Sequence, residues 1–393
     1  MTLAVIGMDG RALPPGAAEV LARAEVVVGG RRHLGSAPVP AAAERIELGP
    51  LEPALDRMAG RRAVVLASGD PGFFGIVRML RERGYTPEVL PAVSSVQEAF
   101  ARLGRSWDDV TVVSAHGRAL GPAVNVCRAR AATAVLTAPG AGPAEIGAAL
   151  DGWARTLVVA EDLGGPDERF STLPAAEAAG RDWHPLSVVL CLRDPAAVPP
   201  RGWHAGGEPV PPVGGWALPD DAFAHRAGMV TKAEVRAVVL ARLAPRPGAL
   251  IWDVGAGSGS VAVECARLGA AALAVERRAD DAARVAENAA AHGVDVRVVR
   301  GAAPAALDGL PRPDAVFVGG GGPGVVAAVA GADRVVVALA ALDRIAPTRA
   351  ALLAAGHTVD GVQLAASRLA PLPDGAVRLA ATNPITILWG VRS

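Results

Sequence analysis

The residues best suited to hold a small polar ligand are Asp253, Gly255, Ala256, Gly257, Ser258 and Gly259. They follow an apolar run from Leu250 and precede a helical stretch, Val261 to Leu268, so they form the turn between a strand and a helix. Glycine lets a ligand come close to the backbone, and the free N–H groups at a helix start favour negative or polar groups. Glu276 closes the next apolar run, Ala271 to Val275, about 20 residues further on, a position from which an acid can grip ribose hydroxyls. The spacing is G-x-G-x-G, which differs from the G-x-G-x-x-G of a pyrophosphate-binding turn.

Other strand ends carry smaller polar groups. Ala63 to Ala67 runs into Ser68-Gly69-Asp70-Pro71-Gly72; Asp70 suits an N-cap and Pro71 a first helical position, with the helix continuing from Phe73 to Arg83. Capping by itself would account for both residues. Glu88 to Leu90 meets Pro91-Ala92-Val93-Ser94-Ser95, where Ser94 with Gln97, or Ser95 with Glu98, forms a capping box. Val110 to Val113 leads to Ser114-Ala115-His116-Gly117-Arg118; a single histidine is more often structural than catalytic. Thr231 and Glu234 have capping-box spacing and start a helix to about Leu243. Thr231 and Lys232 could equally donate to a ligand in the glycine turn, and Lys232 is the only lysine in the chain.

Around these points the elements alternate as in α/β layers. Strands are expected at Leu3 to Gly7, Glu25 to Val28, Ala63 to Ala67, Glu88 to Leu90 and Val110 to Val113. Thr133 to Thr137, Thr156 to Ala160 and Leu186 to Leu192 suggest a second sheet, with a helix at Ala144 to Leu150 and a loop over Glu161 to Arg169. Asp194 to Pro219, rich in proline and glycine, reads as a linker, with the boundary near residue 207. The domains are thus 1–206 and 207–393. In the second, strands follow the glycine turn at Ala271 to Glu276, Val294 to Val299, Asp314 to Val318, Arg334 to Ala338, His357 to Leu364 and Thr386 to Val391.

At 393 residues, 51% hydrophobic and 20% charged, the chain suits two globular domains rather than disorder. No apolar run is long enough to span a membrane, and no basic segment precedes the first strand, so neither a membrane anchor nor a secretory signal is expected. Cys127, Cys191 and Cys265 are scattered and odd in number, which implies a reducing, cytoplasmic setting without structural metal. A formal net charge of zero leans away from nucleic acid and toward a small-molecule substrate.

Asp253-Val254-Gly255-Ala256-Gly257-Ser258-Gly259 with Glu276 resembles motif I of class I S-adenosylmethionine (SAM) methyltransferases. Ser68-Gly69-Asp70-Pro71, Pro91-Ala92-Val93-Ser94-Ser95, Ser114-Ala115-His116-Gly117-Arg118 and Glu161-Asp162-Leu163-Gly164-Gly165 resemble the tetrapyrrole methylase family, in its CbiE-like branch. The pattern departs from that family where Gly7 is followed by Met8-Asp9-Gly10 rather than a glycine–proline pair. Gly228-Met229-Val230-Thr231-Lys232, the glycine turn and Phe317-Val318-Gly319-Gly320 resemble the CbiT-like methyltransferases. The two in this order resemble the decarboxylating precorrin-6Y C5,15-methyltransferase family, over nearly the whole chain.

The resemblance implies a two-lobed tetrapyrrole methylase fold followed by a seven-stranded Rossmann-like fold whose last strand is antiparallel. It also implies one SAM site per domain, with Gly7, Asp70, Ser94 and Ser95 near the first. The second would involve Thr231, Lys232, the glycine turn and Glu276, with backbone near Ala303 reading adenine. The implied reaction is methylation of precorrin-6Y or 6B at C-5 and C-15 with loss of CO₂ from the C-12 acetate, giving precorrin-8 in cobalamin biosynthesis. Arg31, Arg118, Gly319, Gly320 and Gly321 are expected to face the tetrapyrrole. No single residue stands out as catalytic; Lys232, Arg226 and His116 are positioning candidates, and no metal is required.

Relatives imply homo-oligomers. Two rival readings are an RNA methyltransferase and a single-site enzyme whose first domain only holds substrate. Against the first, the glycines after the fourth strand replace the acid, proline and aromatic clamp that stacks a flipped base, and Asn383-Pro384 falls too late in the chain to supply it.

Overall fold

The computed structural model describes residues 2–199, 205 and 214–392. The expected linker is therefore described only at its ends, and the boundary near residue 207, like Pro200 and the Pro211-Pro212 pair, lies outside the described residues. The chain divides into two compact units. One is Met1–Arg118 with Ala134–Ala148 and Arg155–Ala205; the other is Ala119–Thr133 with Ala149–Ala154 and Gly206–Ser393.

The first unit opens with β1 (Leu3–Met8), β2 (Val26–Gly29), β3 (Glu44–Glu47), β4 (Ala63–Ser68) and β5 (Glu88–Leu90). They form a parallel sheet in the order β3-β2-β4-β1-β5. β1 is buried along its whole length. Leu3 and Val5 enter one core with Val26, Val28 and Val65, while Ala4 and Ile6 enter the other with Val27, Val64 and Leu66. Burial on both faces is why β1, β2 and β4 are unbroken apolar runs rather than alternating ones. A second sheet holds β6 (Thr111–Ser114), β7 (Ala132–Leu136), β8 (Thr156–Glu161), β9 (Arg169–Pro174) and β10 (Ser187–Leu192), in the order β6-β7-β10-β8-β9.

Two of these strands have no signature in the sequence. β3, Glu-Arg-Ile-Glu, buries only Ile46, and β9 buries only Leu173; an edge strand with one buried side chain makes no apolar run. The helix expected from Phe73 begins instead at Ile76 and ends at Glu82. Phe74 has φ 55°, outside helical geometry, so Asp70 caps no helix; its Oδ1 accepts the Gly72 N–H at 2.8 Å within a turn.

The second unit carries β11 (Leu250–Val254), β12 (Ala271–Glu276), β13 (Val296–Arg300), β14 (Ala315–Val318), β15 (Arg334–Leu339), β16 (His357–Leu364), β17 (Ser367–Pro371), β18 (Val377–Ala381) and β19 (Ile385–Arg392). Its main sheet runs β13-β12-β11-β14-β15-β19-β16. All strands from β11 to β15 pair in parallel, and β19 is antiparallel to both neighbours, the expected seven-stranded arrangement. Strand order reverses between β11 and β14, and open α/β sheets bind ligands at the carboxyl ends beside such a reversal.

β17 and β18 form a separate hairpin that the sequence pattern did not foretell. Leu369 pairs with Leu379 and Pro371 with Val377, so their side chains share one face; Leu369, Val377 and Leu379 are exposed. Arg368, on the opposite face, is bonded by Glu234 and Asp220. That contact also undoes the expected capping box. Lys232 sits at the cap of the helix Ala233–Leu243, Glu234 is drawn to Arg368, and the Ala233 N–H goes to Asp220 Oδ1 at 2.9 Å. A tertiary carboxylate has replaced the local one.

Candidate functional site

In the second unit a cavity of about 740 Å³ opens at the carboxyl ends of β11, β14 and β15. It brings together Thr231, Lys232, Gly255 to Ser258 and Gly319 to Gly321, all singled out in the sequence. The three turn glycines have φ of 75°, 57° and 72°, and each is small for a different reason. A Cβ at Gly255 would lie 2.9 Å from the Gly320 nitrogen, and one at Gly259 would lie 2.6 Å from Val285 Cγ1. At Gly257 it would meet nothing within 4 Å. Gly257 thus offers bare backbone to the cavity while its neighbours let the turn close against the Gly319–Gly320 loop and the helix Ala279–Ala291.

The acids lie behind the turn. Glu276 is buried; its Oε2 accepts the Gly257 N–H at 2.9 Å and its Oε1 the Arg278 N–H at 3.0 Å. Asp253 is 1% exposed, and its Oδ2 accepts the Ala262 N–H at 3.0 Å. Asp253 Oδ1 and the Ser258 hydroxyl have no hydrogen-bond partner. Burial pushes the Asp253 carboxyl up to about 7; the Ala262 N–H opposes that shift and the nearby Glu276 charge adds to it. A cavity-facing glycine beside an unsatisfied Ser258 hydroxyl fits a ligand that brings its own polar groups to the turn.

Other expected residues stand off the walls. Asp253, Glu276 and Gly259 are not among the lining residues, and Ala303 is half-buried on the turn after β13. Arg226 reaches Asp281 at 3.8 Å and donates to Met229 Sδ at 3.0 Å. Lys232 Nζ donates to the Gly228 carbonyl at 3.3 Å and pairs with Asp220 at 3.4 Å. The structure adds Asp281, Arg344 and Asn383 to the walls. Arg344 Nη1 donates to the Gly321 carbonyl at 2.8 Å, and among the described residues no carboxylate forms an ion pair with it. Asn383, too late in sequence to belong here, arrives because β19 runs antiparallel: Thr386 pairs with Leu339, which brings the start of β19 to the carboxyl end of β15.

The first unit has a cavity of about 350 Å³, lined by Arg32, Ser68, Ser95, His116, Thr137 and Ser187 among others. Ser68 Oγ lies 3.2 Å from Nε2 of His33, whose imidazole burial and the Arg32 charge hold in the neutral form. Of the expected residues, Ser95 and His116 are on its walls and Gly7, Asp70 and Ser94 are not. A Cβ at Gly7 would collide with the Gly69 carbonyl and the Ala92 amide, so this glycine lets three strand ends converge. Ser94 makes the first of the two possible capping boxes: its Oγ accepts the Gln97 N–H at 3.2 Å. Arg31 is exposed and paired with Glu47 at 3.3 Å, and the Arg118 guanidinium lies 5.9 Å from the Phe74 ring centre. The Met8-Asp9-Gly10 loop packs so tightly on Gly164 that a Cβ at Gly10 would strike its carbonyl. Among the described residues no group of three His, Cys, Asp or Glu is placed to hold a metal ion.

Residues 3–179 match the family model of tetrapyrrole (corrin/porphyrin) methylases, and residues 221–389 match that of the precorrin methyltransferase domain. The chain is 42% identical to a precorrin-6Y C(5,15)-methyltransferase [decarboxylating] of Sinorhizobium sp, over 82% of this chain and 78% of that one. It is 34% identical to the cobalt-precorrin-7 C(5)-methyltransferase of Salmonella typhimurium, over 48% of this chain and 98% of the relative. A probable cobalt-precorrin-6B C(15)-methyltransferase (decarboxylating) of Pyrobaculum calidifontis is 44% identical over 27% of this chain and 57% of its own.

Asp253 holds its proton more tightly folded than unfolded, so its contribution to stability falls as pH rises from about 4 toward 7. Relative to Asp253→Asn, which keeps the shape without the charge, the ligand-free wild-type protein should lose unfolding free energy between pH 5 and pH 7.5. Urea titrations at both pH values check this; parallel pH dependence in the two proteins would refute it.

Proposed function

From the premise that the chain belongs to the family of decarboxylating precorrin-6Y C(5,15)-methyltransferases, we propose that each unit binds its own SAM and carries out one of two methyl transfers. The chain is a SAM-dependent methyltransferase of corrin-ring biosynthesis. In our reading the first unit methylates C-5, and the second methylates C-15 and removes CO₂ from the C-12 acetate. The observation that carries the two-site reading is the pair of separate cavities, one in each unit, both at polar strand ends and both of a size suited to small molecules.

SAM, when bound, supplies an electrophilic methyl group to an enamine-like bridge carbon of the reduced macrocycle. The protein's part is alignment and exclusion of water. In the second unit Gly257 and Ser258 would cradle the donor, and Thr231 and Lys232 at the rim would hold its polar end. The glycine floor, Gly319 to Gly321, leaves room for a flat macrocycle beside them. Val337, Leu339 and Ile385 keep that side apolar. Arg344 would hold a substrate carboxylate, since one of its N–H groups is fixed on Gly321 and its charge has no carboxylate partner among the described residues. Loss of CO₂ leaves an electron pair that the macrocycle's own C=N can accept, and a proton taken up from solvent on the exocyclic carbon then completes the methyl group.

Phe317 is the only aromatic among the cavity's lining residues, which gives a flipped base nothing to stack between and favours the tetrapyrrole over RNA. Among the described residues no helix is long and apolar enough to cross a membrane. All three cysteines are free and buried, in keeping with a reducing cytoplasm. The exposed Leu369, Val377 and Leu379 on one face of the β17–β18 hairpin support a homo-oligomer.

Calorimetry on the intact chain should count two SAM per chain; one would leave the first unit as a substrate holder. Arg344→Ala should raise the KM for the tetrapyrrole by about tenfold or more with little change in SAM affinity, the loss expected for one charge-assisted hydrogen bond; an unchanged KM would remove Arg344 from the substrate site. Sedimentation equilibrium should show that Leu369→Glu lowers the oligomeric mass; a wild-type chain that is already monomeric would end that part of the reading.

A further inference from the structure

Residues 217–232 lead from the described end of the linker to the rim of the second unit's cavity, where Met229, Val230, Thr231 and Lys232 line the wall. The segment has almost no regular structure beyond a short 3-10 turn, Asp220–Ala222. Its backbone is held instead by polar side chains on two helices and at the end of a third. Glu264, on Ser260–Arg267, accepts the N–H groups of Ala217 at 3.2 Å and Leu218 at 2.7 Å. Arg236, on Ala233–Leu243, donates to Glu264 at 3.1 Å and to the carbonyls of Leu218 and Thr231; both charged side chains are fully buried. His292 Nε2 lies 2.8 Å from the Ala222 carbonyl. The buried Phe223 ring sits between them, 4.7 Å from the Arg236 guanidinium and 5.0 Å from the His292 ring.

A buried ion pair adds little stability over well-packed apolar side chains, because both charges lose their water. What such a network does supply is a single permitted position for the backbone it bonds. Asn288 carries that constraint to the glycine turn. It is 2% exposed and uses its whole amide: Oδ1 accepts the Ala224 N–H at 2.7 Å, and Nδ2 donates to the Ala224 carbonyl at 2.9 Å and to the Ser258 carbonyl at 2.7 Å. One side chain therefore fastens the 217–232 segment and a cavity-lining residue of the turn to each other.

We infer that Asn288 is a positioning residue for the second unit's donor site, setting the distance between the 217–232 segment and the glycine turn without itself lining the cavity. The inference rests on the reading that SAM binds this turn, and it makes SAM affinity depend on a hydrogen bond behind the wall.

The test uses the full chain and two variants. Asn288→Asp keeps the shape but sets a carboxylate against two carbonyl oxygens, and Asn288→Ala removes all three bonds. SAM binding is measured by calorimetry, and hydrogen exchange is followed at residues 217–232, at the turn and across the central strands. SAM should protect the turn in the wild type. Both variants should bind at that site about tenfold or more weakly, with the other site unchanged, and exchange should quicken in 217–232 and at the turn but not in β11, β14 or β15. Unchanged SAM affinity would overturn the inference. So would exchange that quickens throughout the sheet, or loss of the folded state in both variants, either of which makes Asn288 an ordinary core group. A wild-type turn that SAM does not protect would instead bring down the donor-site reading, and this inference with it.

Discussion

Buried carboxylates recur beside the loops of both units, and each accepts backbone N–H groups there, some with an arginine as well. A buried carboxylate left without donors costs several kcal/mol, so its loop has little freedom to move away. In the second unit Glu276 holds Gly257 and the N–H of Arg278, Asp253 holds the start of the helix Ser260–Arg267, and Glu264 holds Ala217 and Leu218. The first unit repeats the device: Glu161 accepts from His184 N–H and Asp162 from Asp167 N–H. Loops with few apolar residues thereby acquire fixed positions, which a binding surface made of backbone requires.

The second constraint is steric. At the carboxyl ends of parallel strands, consecutive loops converge on a small area, and side chains are what must be given up. Gly7 lets the ends of β1, β4 and β5 meet, Gly10 and Gly164 let two loops of the first unit touch, and Gly255 does the same against Gly320. Gly257 stands apart because its missing side chain leaves a space open to the cavity rather than filled by protein. A motif rich in glycine thus mixes positions needed for packing with one that suits a ligand, and only the surroundings of each tell them apart.

The cavities of the two units are built differently. The second has the larger cavity, an acid-braced turn and an arginine without a carboxylate partner among the described residues. The first has a smaller cavity whose polar groups, Ser68 with His33 behind it and Arg32 reaching Asp162, come from both of its sheets and their loops.

The sequence by itself determined where the central strands lie, because strands buried on both faces must be unbroken apolar runs, and it determined the glycine turn and its partner acid, because their spacing has few other uses. It could not locate the edge strands β3 and β9, which bury a single side chain each. It favoured a local cap for Thr231 and Glu234, where the fold offers Asp220 and Arg368 as stronger partners. Arg344 had no contrast in a chain whose cations are nearly all arginine, and Asn383 looked remote until an antiparallel last strand carried it to the end of β15. Periodicity and spacing report on contacts between near neighbours in the chain. Which distant residues share a cavity depends on strand order and direction, and those are fixed only when the sheet assembles.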